Sequence, residues 1–180
     1  MIELDYSLTR RFFIAGSSLT ALMALAACRS ELALEPIETG YAVDVTQSAL
    51  PVVNAVRARK NLPALAYDEV AVNAAKDQAL RMARVGKMSH DLGPDPSFLD
   101  RMKRLAVPLP AAENIAVGQP TTDQAVEAWI RSKKHLENMM GPFGGLGVAL
   151  ARQSSRNNRP YWAMILSNPD ELANRPVRAA

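Results

Sequence analysis

The chain has 180 residues, 48% of them hydrophobic and 22% charged, with a formal net charge of +3. That length allows one domain with a sizeable core. The mild charge, without like-charge runs or basic residues interleaved with aromatics, gives no footprint for nucleic acid. A single cysteine, Cys28, excludes an intramolecular disulfide, so the fold must be held by its core whatever the redox state.

The N-terminus carries two export signals. Thr9-Arg10-Arg11-Phe12-Phe13-Ile14 resembles the twin-arginine pattern, Ser/Thr-Arg-Arg-x-Phe followed by an aliphatic residue. An uncharged stretch from Ile14 to Ala27 follows, interrupted by Gly16, Ser17, Ser18 and Thr20. At 14 residues it is too short to span a bilayer core as a helix, which takes about 20. It fits a signal peptide rather than an anchor. Leu25-Ala26-Ala27-Cys28 resembles a lipobox, in which the cysteine is lipidated and becomes the new N-terminus. The expected divisions are a signal peptide over 1–27, a lipidated end and tether over 28–45, a folded domain over 46–168 and a tail over 169–180. The expected place is the bacterial cell envelope, exported and lipid-anchored, facing the periplasm or outer surface.

Within the domain, the first helix is expected to begin near Ser48, with Pro51 tolerated in its first turn and Ala49, Val52, Val53 and Val56 on one face. Asp68 reads as the N-cap of an alanine-rich helix that runs to about Lys87, with Gly86 as its stop. Its small side chains would let it lie close to a sheet or another helix. Ser97 with Asp100 three residues on forms a capping-box-like start for a short helix. The apolar, proline-punctuated run Leu105–Pro120 is strand or extended loop. Thr121 starts a helix through Trp129, whose apolar stripe continues with a kink to Gly141. Gly145–Arg152 and Arg159–Ser167 flank a polar turn and read as a hairpin. Helices first and adjacent strands late point to an α+β fold with helices packed on an antiparallel sheet.

With these elements in place the chain resembles the CAP superfamily, or SCP-like extracellular domain, in its short bacterial form. The resemblance rests on Asn54, Arg57, the turn Leu62-Pro63-Ala64-Leu65, Ser89-His90, Glu113-Asn114-Ile115, and Trp129, Ser132, His135, Asn138 and Met139 in the right order. It covers roughly Gln47 to Leu166. It implies a three-layer α/β/α sandwich with a small antiparallel sheet and a cleft lined in many members by two His and two Glu. His90, Glu113 and His135 match three of these; Ser132 stands where many eukaryotic members have the second Glu. Glu127 is no replacement, since five residues place it about 140° around the helix from Ser132. The resemblance thus implies a cleft of His90, Glu113, Asn114, Ser132 and His135.

Two imidazoles and a carboxylate match the ligand count of an open zinc site. His90, His135 and Glu113 are therefore the candidate ligands of a divalent cation such as Zn, and the candidates for any catalysis. Their scatter over 46 positions shows no HExxH spacing. Buried, Glu113 needs a partner; an imidazole, the Asn114 amide, Arg57 or another base would serve. No oxyanion-hole segment accompanies Ser132 or Ser89, so a serine nucleophile has little support. Three functions follow. The first is an envelope module presenting the cleft to a lipid or cell-wall ligand. The second is a metal-assisted hydrolase acting on peptide or cell-wall bonds through His90, Glu113 and His135. The third is a structural protein whose polar cluster only ties helix to sheet. Besides the membrane, met through Cys28, the sequence names no partner and leaves the oligomeric state open.

Overall fold

A computed structural model of the chain describes residues 40–95, 97–153 and 157–169. The signal peptide, Cys28, most of the tether and nearly all of the tail lie outside the described residues. Ten elements follow in order: β1 (Ala42–Asp44), α1 (Thr46–Ala58), β2 (Ala66–Tyr67), α2 (Glu69–Val85), α3 (Phe98–Arg104), β3 (Ala112–Val117), α4 (Thr122–Arg131), α5 (Lys133–Met139), β4 (Gly145–Ala151) and β5 (Tyr161–Ser167). The sheet runs β1-β4-β5-β3, all antiparallel, and β2 adds a short parallel pairing to β4. No helix of the described residues is long and apolar enough to cross a membrane.

The expected hairpin forms. β4 and β5 are buried at every position, because each has helices on both faces. Their period-two alternation divides the core in two. Leu146, Val148, Leu150, Trp162, Met164 and Leu166 meet Val53, Val126, Trp129 and Met139 from α1, α4 and α5. Ala149, Ala151, Ala163 and Ile165 meet the alanines of α2 and Met102 of α3. This is the three-layer α/β/α sandwich. The alanine-rich helix does lie close to the sheet: a Cβ on Gly147 would come within 2.2 Å of the Ala71–Val72 backbone. Only a side chain no larger than hydrogen fits that crossing.

The helix ends follow their capping residues. Asp68 caps α2, whose C-cap Gly86 takes φ 75°, a left-handed conformation that glycine adopts freely. Ser97 and Thr121 accept from Asp100 N and Gln124 N at the starts of α3 and α4. The kink in the Trp129 stripe becomes a break at Ser132, which is at once the C-cap of α4 and the N-cap of α5.

Two expectations fail at the domain's start. The domain begins before residue 46, because Ala42–Asp44, placed in the tether, pair with Ala149–Ala151 of β4. The first helix begins at Thr46, not Ser48. Asp44 accepts from Thr46 N at 2.8 Å, and the Thr46 hydroxyl accepts from Val148 N at 2.8 Å, so β4 itself fixes the helix start. Pro51 consequently sits inside the helix. Its missing N–H leaves the carbonyl of exposed Gln47 to water, which limits the cost.

Candidate functional site

β3 is the free edge of the sheet opposite β1, and it holds the site on both faces. Ile115 packs with α2 and α3, while Ala116 packs with α1 and α4. By the same alternation Glu113 points toward α3 and Asn114 toward α5. The edge is closed by side chains: Trp129 Nε1 donates to Ile115 O at 3.0 Å, and Asn138 Nδ2 to Glu113 O at 3.3 Å. Such covering suppresses strand addition by another chain.

On the α3 face the Glu113 side chain is 2% exposed and carries two partners. Arg101 Nη2 donates to its Oε2. His90 Nδ1 lies 2.8 Å from its Oε1, and facing a carboxylate that nitrogen must be the donor. In the neutral ring Nε2 is then the acceptor, on a side chain that is 48% exposed. The bond from Glu113 raises the His90 pKa above its ordinary value, against burial and the Arg101 charge.

The histidine is held by its backbone as well. Arg101 Nη1 donates to His90 O at 2.7 Å, and Gln78 Nε2 donates to Ser89 O at 2.6 Å. Phe98 stacks under the guanidinium at 5.5 Å. Past His90, Arg81 donates to Leu92 O at 2.6 Å and to Asp95 at 2.6 Å, and Arg104 donates to Asp95 at 2.9 Å. The loop after α2 is thus clipped to both α2 and α3.

On the α5 face, Asn114 Nδ2 donates to His135 O at 3.0 Å, and Asn138 Nδ2 donates to Asn114 Oδ1 at 2.8 Å. The partly buried His135 ring has no hydrogen-bond partner among the described residues. Burial lowers its pKa, and the nearby charge of His90 lowers it further, so the two rings sense each other. Ser132 forms no side-chain cap at the start of α5. Glu127 points away, exposed and 3.5 Å from Arg131.

The structure therefore brings His90, Glu113, Asn114 and His135 to one edge strand, while Ser132 is seen only as the boundary residue of α4 and α5, with no side-chain contact to that strand. It bonds the first two directly and ties Asn114 to the His135 backbone. Of the partners expected for Glu113, an imidazole and a base other than Arg57 are the ones present, as His90 and Arg101. Arg57 donates instead to the carbonyls of Pro63, Met139, Gly141 and Phe143. The partner is Arg101, which sequence reasoning missed together with Gln78. Arg101 sits among Arg and Lys on a short helix, and nothing in that pattern marks it as the one that turns inward.

The candidate metal set does not fit this arrangement. Among the described residues no three His, Cys, Asp or Glu side chains are placed to hold a metal ion. Both Glu113 oxygens are already engaged, one of them by a guanidinium whose charge opposes a cation at that point. No chemistry is derived through a metal.

Known proteins share the sequence pattern and the fold. The sequence pattern of the Cysteine-rich secretory protein (CAP) family matches residues 50–166. An uncharacterized Bacillus subtilis protein, YkwD, is 30% identical over 111 residues, 61% of this chain and 43% of its own. An extracellular Bacillus anthracis protein containing an SCP domain superposes with a TM-score of 0.61 at 27% identity, covering 68% of this chain and 40% of that one. The chain thus spans less than half the length of either. An outer surface protein of Borrelia burgdorferi shares the fold with a TM-score of 0.61 at 19% identity, over 72% of this chain and 98% of its own. The matched pattern spans well over half of the chain and the sandwich agrees with it, so this chain belongs to the CAP family.

Proposed function

We propose that this chain is an exported bacterial envelope protein, lipid-anchored through Cys28, whose CAP domain binds a lipid or cell-wall ligand at the cleft of His90, Glu113, Asn114, Ser132 and His135. The observation that carries the binding reading is the state of Glu113. Its side chain is 2% exposed and its oxygens already accept from Arg101 and His90, so it orients the imidazole instead of meeting a water itself. The groups proposed to meet the ligand are the half-exposed His90 ring with an accepting Nε2, the His135 ring, which has no hydrogen-bond partner among the described residues, and the Ser132 hydroxyl. Such groups suit the hydroxyls and amides of sugars and peptides. The relatives' descriptions as an extracellular protein and an outer surface protein support the location. Two sequence signals, the twin-arginine pattern and Leu25–Cys28, support export and anchoring.

The test is direct. The full chain is titrated with defined muropeptides and with envelope phospholipids while both histidines are followed by NMR. Saturable shifts at His90 and His135 with one ligand class are expected. Hydrolysis of the muropeptides, abolished in Glu113→Gln, would replace the binding reading with the hydrolase. The absence of saturable binding to either class would remove the binding reading.

A further inference from the structure

The free edge of β3 is covered unevenly. Val117 pairs with Tyr161, and one step on, Gly118 N donates to Pro160 O at 2.9 Å. Gly118 is therefore a bonded position of the antiparallel ladder. Alternation then turns the backbone groups of Ala112, Asn114 and Ala116 toward β5 and those of Glu113 and Ile115 outward. The two outward carbonyls are answered: Asn138 Nδ2 donates to Glu113 O and Trp129 Nε1 to Ile115 O. The two outward N–H groups meet no acceptor among the described residues. Glu113 is 6% exposed as a residue and 2% as a side chain, so most of what it shows to solvent is main chain. The edge has its acceptors taken and its donors left.

The side chains beside those donors have the same bias. His90 reaches the edge from the α3 layer with Nδ1 bound to Glu113, so Nε2 points away from the carboxylate on a half-exposed ring. Once protonated, that ring donates from Nε2 as well, and the bond to Glu113 favours the protonated form. His135 comes from the α5 layer, and its ring feels the charge of His90. Lys134, exposed, stands one turn before Asn138 on the same stripe of α5, and Asn138 holds Glu113 O. Lys134 forms no ion pair among the described residues. The charge of Glu113 is answered by Arg101, which leaves exposed Asp91 and Glu137 as the carboxylates next to these groups in sequence.

We propose that the β3 edge between the two histidines binds an oxyanion, held by the Glu113 N–H and the His90 Nε2–H with Lys134 adding charge. The inference rests on the reading of this cleft as the ligand site, and it names the part of the ligand that the site grips: the carboxylate of a wall peptide or the phosphate of a lipid headgroup. An ionised carboxylate or phosphate accepts and does not donate, which matches an edge whose carbonyls are already taken. An added strand does not match it, because a strand brings N–H groups that need those carbonyls.

The experiment titrates the full chain with sodium sulfate, against sodium chloride at equal ionic strength, and follows the Glu113 amide and both imidazoles by NMR. Sulfate keeps its charge near neutral pH, so any pH dependence belongs to the protein. A saturable shift of the Glu113 amide is expected, and both histidine midpoints should rise, since a bound anion favours each imidazolium. Above the folded His90 value, affinity should fall by up to about tenfold per pH unit as Nε2 loses its proton. His90→Gln should abolish that dependence, and Lys134→Gln should weaken sulfate by up to about fivefold. A Glu113 amide that responds to sulfate only as it does to chloride overturns the site. Two further arms identify the source of the oxyanion. A muropeptide with a free terminal carboxylate is compared with its amide, and dihexanoyl phosphatidylglycerol with dihexanoylglycerol. A preference of about tenfold or more for the anionic member, as for a hydrogen bond to a charged group, assigns the site to wall peptide or to headgroup. Saturable binding that is indifferent to amidation or to loss of the phosphate overturns the oxyanion site and leaves the cleft as a ligand site. Sulfate bound at the Glu113 amide, with neither ligand class bound, keeps the oxyanion site and overturns the wall or lipid reading.

Discussion

Arg57 and Arg101 are equally buried, each 1% exposed, and yet they live in opposite chemistry. Arg57 has no carboxylate: it satisfies its guanidinium with the carbonyls of Pro63, Met139, Gly141 and Phe143, and its burial lowers its pKa. It staples the Leu62–Leu65 turn, the end of α5 and the start of β4 to α1, while Asn54 exchanges two bonds with Leu65 beside it. Arg101 pairs with a buried carboxylate that in turn holds a half-exposed imidazole. A buried cation answered by carbonyls alone makes architecture. A buried cation answered by a carboxylate that reaches the surface makes a polarised site. The two clusters are therefore expected to respond differently to the same kind of damage.

The largest effect is expected at Arg57. Arg57→Met would strand several carbonyls at once, at about 1–3 kcal/mol for each buried acceptor left unpaired and with less than full additivity. A loss of roughly 4 kcal/mol consumes most of the 5–15 kcal/mol typical of a domain. Urea unfolding measures it, and a loss under about 1.5 kcal/mol would break the comparison from the structural side. Arg57→Lys should recover little, because three donors on a compact head cannot span the same carbonyls.

Arg101→Met comes next. It leaves Glu113 in a buried position without its cation, a change that costs about 3–5 kcal/mol when one partner of a buried pair is removed. It should also move the site, which no structural arginine would do. Arg101 opposes protonation of His90, so its removal should raise the His90 pKa further. Adding Glu113→Gln to that background should return part of the lost stability, since the unpaired charge is gone. An unmoved His90 titration in Arg101→Met would place Arg101 with Arg57 as scaffold only.

The sequence made the fold readable where local chemistry decides it. Asp68, Ser97 and Thr121 cap helices at their own positions, and Gly86 ends one, because capping needs only residues a turn apart. The hairpin was readable from alternation. β1 was not, since three residues carry no periodicity and pair only because β4 offers an edge. The site was readable in part. The motifs around His90, Glu113 and His135 name the side chains, and Trp129 through Met139 places the last of them on a helix. Arg101 was hidden because its partner is twelve residues on, across a loop, and the inward turn of one arginine in Arg101-Met102-Lys103-Arg104 is a tertiary outcome. The same limit hid the division of labour between the two histidines, which depends on burial.

A smaller effect is expected at Asp95. Asp95→Asn removes the anion shared by Arg81 and Arg104 and loosens the loop that presents His90. Faster amide exchange over residues 91–95 is expected, with α1 and its Arg57 contacts unchanged. Equal loosening at Arg57 would show that the two regions are one cooperative unit.

The finest test is the pH profile of stability, because the two histidines pull in opposite directions around their ordinary value of 6.5. His90 has a raised pKa, so the folded state binds its proton more tightly than the unfolded chain. Its contribution is fully present below 6.5 and is lost as pH rises through the folded value. His135 has a lowered pKa, so its contribution is present above 6.5 and is lost as pH falls through the folded value. With other groups equal, the pair should leave a shallow maximum of stability near pH 6.5. Removing each arm in turn separates them. Glu113→Gln takes away the bond that raises His90, so the decline on the alkaline side should flatten. His135→Ala should flatten the acid side and leave the alkaline side as it was. Denaturant midpoints measured from pH 5 to 8 would show whether one histidine belongs to the carboxylate and the other to the core. If Glu113→Gln flattened both arms, the rings would be titrating as a single coupled pair.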